Sequence, residues 1–149
     1  MSVLKFTNVG KHQLQDIPTD AALISISDNY SRMAQVPNVE GRPVLFVDFF
    51  PGDYLEPQER KHAMSDVRAR RIVDFVIENR DKGHIFVQCG EGRFRSWTIC
   101  HVMERAFGNT EHCTELSAVK QGSVDRYTRK VLLDVIDVMK KANEIPADL

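Results

Sequence analysis

No apolar run in the 149-residue chain approaches the ~20 residues that a membrane-spanning helix requires. The longest, such as Val44-Leu45-Phe46-Val47, have the length of buried strands. Charge of one sign is missing too. Lys and Arg number 20 against 21 Asp and Glu, so the basic surplus usual in nucleic-acid-binding domains is absent. Eight Gly and six Pro are too few for a fibrous or low-complexity chain. There is no internal repeat, no linker, and no apolar h-region followed by a small-residue cleavage site. Three cysteines are an odd number, and without an export signal they imply free thiols in a reducing, cytoplasmic setting.

What is present suits one globular domain over residues 1–149, with 42% hydrophobic residues to build a single core. The spacing predicts strands over Val3–Phe6, Ala22–Ser27, Pro43–Phe49 and His84–Gln88. Three of these are rich in Val, Ile and Phe with little alternation, as in strands covered on both faces. Three longer segments have helical periodicity. The first is capped by Ser65, sets Val67, Ile72, Phe75 and Val76 on one face, and stops at Asp81-Lys82-Gly83. The second runs from Ser96 to about Phe107. The third starts near Ser123 and is expected to turn Tyr127, Val131, Val135 and Val138 to the core. Residues Asp28–Arg42 and Phe50–Gln58 read as loops, and Asn109–Gln121 is unassigned. Strands alternating with helices give an α/β class, with a central, mostly parallel sheet of about four to five strands flanked by helices. Ligands of such sheets bind beyond the carboxyl ends of the strands.

One segment carries chemistry: His84-Ile-Phe-Val-Gln-Cys89-Gly-Glu-Gly92-Arg93-Phe-Arg95-Ser96. A buried strand runs into Cys89, and a helix begins at Ser96. A loop between a strand and a helix N-terminus turns backbone N–H groups inward, and the helix dipole adds positive potential. That environment favours a thiolate at Cys89. Arg95 offers a planar fork for two phosphate oxygens. Gly90 and Gly92 permit close backbone approach. Ser96 can donate its hydroxyl proton to the cysteine sulfur and help it leave in a second step.

Cys89-x-x-Gly92-x-x-Arg95-Ser96 is similar to the Cys-x5-Arg-Ser signature of the protein tyrosine phosphatase superfamily, and the short chain resembles its small dual-specificity branch. Only Cys89–Ser96 matches at the level of a motif. From Ala22 to Val138 the likeness is one of pattern. The resemblance implies a phosphatase-like fold and a cysteine-dependent phosphatase. Cys89 would attack phosphorus, Arg95 and the loop around Glu91 would hold the oxygens, and a phosphocysteine would form. It also implies a carboxylic acid on an upstream loop. Asp53, beside a Pro-Gly turn and before Glu56-Pro57, is preferred over Asp48, which lies within the strand pattern. Gln88 departs from the family, where a His precedes the cysteine. A Gln cannot carry charge, so the thiol is expected to be less acidic and the activity weaker or shifted to higher pH.

Other residues have secondary readings. Arg93 and Phe94 fall at the pocket rim, where Arg93 is either a contact to a second phosphate or an acidic peptide, or a solvated Arg. Tyr30, Phe50 and Phe94 are candidate walls for an aromatic ring, although core packing suits Phe50 better. Cys100 reads as a core residue. Cys113 beside His112 lacks a second ligand pair at metal spacing, so no metal and no organic cofactor are implied. None of His12, His62, His84 and His101 is given a role. Arg68, Arg70 and Arg71 read as a solvated helix face paired with Asp66 and Asp74. The expected partner is a phosphorylated protein or a small phosphate ester, including phosphotyrosine, phosphoserine, phosphothreonine, nucleotides, phosphoinositides and RNA 5′-phosphates. The competing reading is a pseudophosphatase that binds phosphate without turnover. A rhodanese-like sulfur-transfer domain fits less well, because its loops usually space Cys and Arg differently.

Overall fold

The computed structural model describes residues 4–27, 36–90, 94–107 and 124–149. Its regular elements are β1 (Lys5–Gly10), β2 (Ala22–Ser27), β3 (Val44–Asp48), α1 (Asp66–Glu78), β4 (His84–Cys89), α2 (Arg95–Phe107) and α3 (Arg126–Lys141). The four strands form one sheet in the order β1-β4-β2-β3, and every pair is parallel. The expected α/β class and parallel sheet are therefore present, with four strands among the described residues.

The strands form where apolar side chains can be buried on both faces. All six residues of β2 are buried. Ile24, Ile26, Val47, Ile85 and Val87 face α1, α2 and α3, and pack with Ile72, Val76, Ile99, Met103, Leu132 and Ile136. Leu23 and Phe86 face the other way and pack with Val9, Leu14 and Ile17. β1 lies later than the apolar run predicts. Its pairing with β4, from Lys5↔His84 to Gly10↔Cys89, recruits Asn8 and Gly10 despite their weak strand preference.

The helices are bounded by recognisable stops. The Ser65 hydroxyl accepts from Arg68 N at 3.2 Å and caps α1. Gly83 ends the turn that follows with φ 75°, a left-handed conformation that suits glycine. Two apolar faces differ from expectation. Val67 is exposed on the first turn of α1. On α3 the buried residues are Thr128, Leu132, Val135, Ile136 and Met139, whereas Val138 is exposed and Tyr127 and Val131 are half-buried. The core-facing stripe is thus rotated by about one residue, because α3 packs against both α1 and α2 and those contacts select Leu132 and Ile136.

The loop predicted over 50–58 contains one short 3-10 turn, Gly52–Tyr54, and the start of a second, Pro57–His62, which runs past its expected end. The arginines of α1 are engaged, though not with Asp66 as expected. Arg68 lies 4.0 Å from Asp48, and Arg70 pairs with Asp74 and Glu144. Arg71 donates to the Phe46 carbonyl. Among the described residues, no helix is long and apolar enough to cross a membrane.

Candidate active site

A parallel sheet places all its strand carboxyl ends on one edge, which gathers Ser27, Asp48 and Cys89. Successive side chains leave β4 on opposite faces. Cys89 enters the helix-covered core and is 4% exposed. Gln88 points to the other face, where the buried Ser25 hydroxyl donates to its Oε1 at 2.5 Å. Gln88 is thus a bonded core residue at the base of the loop, joined to β2.

The Cys89 thiol donates to Ser96 Oγ at 3.2 Å. Ser96 is fully buried on the first turn of α2, so this contact crosses directly from strand end to helix start. With a thiolate the roles reverse, and the Ser96 hydroxyl becomes the donor. Arg95, half-buried, opens the same helix, and its Nη1 donates to the Phe49 carbonyl at 2.7 Å. That bond ties the arginine to the segment just past β3. Gly90 is exposed, and among the described residues a Cβ built there would meet no atom within 4 Å. Glu91, Gly92, Arg93, Tyr30 and Cys113 lie outside the described residues.

Cys100 lies one helical turn beyond Ser96 and is fully buried. Burial, then Glu104 and Cys89 beside it, push its thiol well above the ordinary range. It is a protonated core group, consistent with the reading made from sequence. Among the described residues, no three His, Cys, Asp or Glu side chains are grouped to hold a metal ion.

Both candidate acids occupy the carboxyl edge, in different surroundings. Asp48 ends β3 and lies 4.0 Å from the Arg68 guanidinium. Asp53 is exposed on the Gly52–Tyr54 turn. Its two oxygens accept from Arg126 N at 2.7 Å and Tyr127 N at 3.1 Å, which caps α3. The turn also touches the helix after the cysteine loop. The exposed Tyr54 ring lies 5.5 Å from the Phe94 ring, immediately before Arg95. Phe50 does not meet Phe94 as a second wall among the ring contacts; its ring packs edge-on against His62. Sequence reasoning missed Tyr54 and the polar cluster of Asp125, Thr98 and Thr128. An Asp just before a helix was their one local signal, and nothing in the sequence tied it to the distant Gly52–Tyr54 turn.

A similar fold occurs in solved structures. PTPMT1 is similar with TM-score 0.62 and 13% identity, over 97% of this chain and 99% of that one. The active form of Tk-PTP gives TM-score 0.56 and 16% identity, over 92% and 93%. A mouse putative dual-specificity phosphatase complexed with zinc tungstate gives 0.56 and 15%, over 95% and 87%. This is the fold of the protein tyrosine phosphatases. In this chain Cys89 ends β4 and Arg95 opens α2. No family model matches the chain, and no curated protein matches it in sequence.

Proposed function

We propose that the protein is a cysteine-dependent phosphatase acting on phosphate monoesters. The observation that carries this reading is the 3.2 Å contact between Cys89 Sγ and Ser96 Oγ, next to Arg95 at the start of α2. In the first step the Cys89 thiolate attacks phosphorus, an S–P bond forms, and the bond to the leaving oxygen breaks. The leaving oxygen takes a proton from a carboxylic acid, for which Asp53 is our choice. The Arg95 guanidinium and the N-terminal N–H groups of α2 balance the charge on the equatorial oxygens. In the second step water attacks phosphorus, the carboxylate takes its proton, and the S–P bond breaks. The Ser96 hydroxyl then donates to the departing sulfur.

Each Asp53 oxygen already accepts one backbone N–H, from Arg126 or Tyr127, an arrangement that suits a carboxylate acceptor rather than the protonated acid that this step needs. That engagement favours, as a second reading, a pseudophosphatase that binds phosphate and turns over slowly or not at all. For substrate, the aromatic pair Tyr54–Phe94 at the helix start supports an aryl phosphate such as phosphotyrosine. One similar structure, PTPMT1, was solved in complex with PI(5)P, so a phosphoinositide is the natural comparison substrate. A reducing, cytoplasmic setting fits a thiol nucleophile.

Hydrolysis of p-nitrophenyl phosphate across pH, with reductant and chelator present, tests both readings. Turnover that disappears in Cys89→Ser supports the phosphatase. No turnover at any pH, with vanadate still bound, would leave the pseudophosphatase.

A further inference from the structure

Asp125 occupies the N-cap position of α3, yet its side chain makes no cap bond to that helix. Its carboxylate turns instead to the Gly52–Tyr54 turn. Oδ2 accepts from Gly52 N at 2.9 Å, and Oδ1 accepts from Asp53 N at 3.0 Å. Asp53 in return supplies the cap that Asp125 does not, through Arg126 N and Tyr127 N. The two aspartates have exchanged caps across 72 residues of chain. Asp125 is completely buried, and so are Thr98 and Thr128. The Thr128 hydroxyl donates to Asp125 Oδ2. The Asp125 N–H donates to Thr98 Oγ1 at 3.0 Å, and Thr98 Oγ1 donates to the Phe94 carbonyl at 2.8 Å. One hydrogen-bonded chain therefore runs from the exit of the cysteine loop, through Thr98 and Asp125, to the backbone of the candidate acid.

A buried carboxylate is costly to desolvate and is kept where several donors meet it. Capping α3 alone does not require this arrangement, since a side chain at position 125 could bond the first turn of its own helix, as Ser65 does on α1. The exchange instead fixes the turn that carries Asp53 relative to the first turn of α2. We propose that Asp125 is a positioning residue. Its buried carboxylate holds the Gly52–Tyr54 turn so that Asp53 is presented to the leaving group of an ester bound at Cys89. This inference rests on the phosphatase reading and extends it to a residue outside the motif.

The test compares wild type, Asp125→Asn and Thr98→Val on two substrates of the same shape. Nitrophenolate leaves readily without a proton, whereas phenolate from phenyl phosphate needs one. A positioned general acid contributes about 10²–10⁴-fold, so its misplacement should cost kcat on phenyl phosphate roughly tenfold or more. The same variants should lose only a few-fold on p-nitrophenyl phosphate, with KM for both and vanadate affinity little changed. Amide hydrogen exchange at Gly52 and Asp53 should quicken in Asp125→Asn. Thr98→Val leaves the Asp125 carboxylate in place and covers the case in which Asp125→Asn folds poorly; it should show the same leaving-group dependence more weakly. Equal losses on both substrates, or unchanged exchange at Gly52 and Asp53, would overturn the positioning role and leave the phosphatase reading standing. A wild type without turnover on either substrate would overturn both.

Discussion

The Cys89 sulfur and the Ser96 hydroxyl stand 3.2 Å apart across the turn from β4 to α2. Both are buried, so the contact is shielded from competing water. In the resting thiol the serine gains little from it. In a thiolate, and in the sulfur that would leave the proposed phosphocysteine, it would become a charge-assisted bond. Ser96→Ala should therefore spare phosphocysteine formation and slow its hydrolysis. Rapid-quench kinetics on p-nitrophenyl phosphate should show a burst of one nitrophenol per protein, then a steady rate lowered by about 10–100-fold if the bond is worth ~1.5–3 kcal/mol. A uniform slowing without a burst would remove Ser96 from the second step.

As the proposed acid, Asp53 would have two duties, the cap on α3 and the proton for the leaving group, and one substitution separates them. Asn retains a side-chain oxygen able to cap α3 but cannot donate the proton. Asp53→Asn should keep the melting temperature close to wild type while kcat falls about 10²-fold or more and the pH profile loses the limb set by the acid. Asp53→Ala should add a stability loss of roughly 0.5–2 kcal/mol from the missing cap. Asp48→Asn is the control, expected to loosen Arg68 and leave the pH profile unchanged. If instead Asp48→Asn abolishes that limb, the acid is Asp48.

The ease of reading these residues from sequence follows their range. Cys89, Arg95 and Ser96 were legible because a strand, a turn and a helix start follow one another within a few residues. The buried strands were legible as short apolar runs. The phase of α3 was not. Val131, Leu132, Leu133, Val135, Ile136, Val138 and Met139 put apolar groups on most of the helix circumference, so several stripes are possible and packing against α1 and α2 selects one. The exchanged caps of Asp53 and Asp125 were invisible for a different reason. Each aspartate reads alone as a turn or cap residue, and only the folded chain brings residues 53 and 125 together.

That packing choice can be checked by calorimetry. Leu132 is fully buried, while Val138 is exposed. Leu132→Ala should cost about 2–5 kcal/mol, the usual range for a buried leucine that leaves a cavity. Val138→Ala should stay within about 0.5 kcal/mol, as for a surface change. The reverse order would restore the stripe through Val138.

Two histidines tie stability to pH. Burial and then Lys5 hold His84 below the usual imidazole value of 6.5. Burial, then Arg105 and Arg129, do the same for His101, which stacks on Trp97. Both groups bind protons more readily in the unfolded chain, so stability is full above pH 6.5 and falls as pH drops below it. Thermal melts between pH 7.5 and 5.5 should show this decline. The slope should flatten when His84 and His101 are both replaced by Gln. An unchanged slope in that double variant would assign the decline to other groups.

Gly52 tests whether the turn can be moved from the α3 side. A Cβ at this position would fall well inside contact distance of Cβ, Cγ and Cδ1 of Tyr127, on the first turn of α3. Ring rotation alone cannot relieve this, because Tyr127 Cβ is fixed to the α3 backbone, and the Arg60 guanidinium also lies over the ring, 5.3 Å from the centroid. Gly52→Ala should push the turn outward, cost about 1–3 kcal/mol through overpacking, and lower kcat more on phenyl phosphate than on p-nitrophenyl phosphate. Removing the obstruction should reverse part of the loss. Gly52→Ala with Tyr127→Ala is expected to be more stable than the sum of the single changes, with a coupling of roughly 0.5–3 kcal/mol. Strict additivity would mean that Tyr127 does not limit position 52.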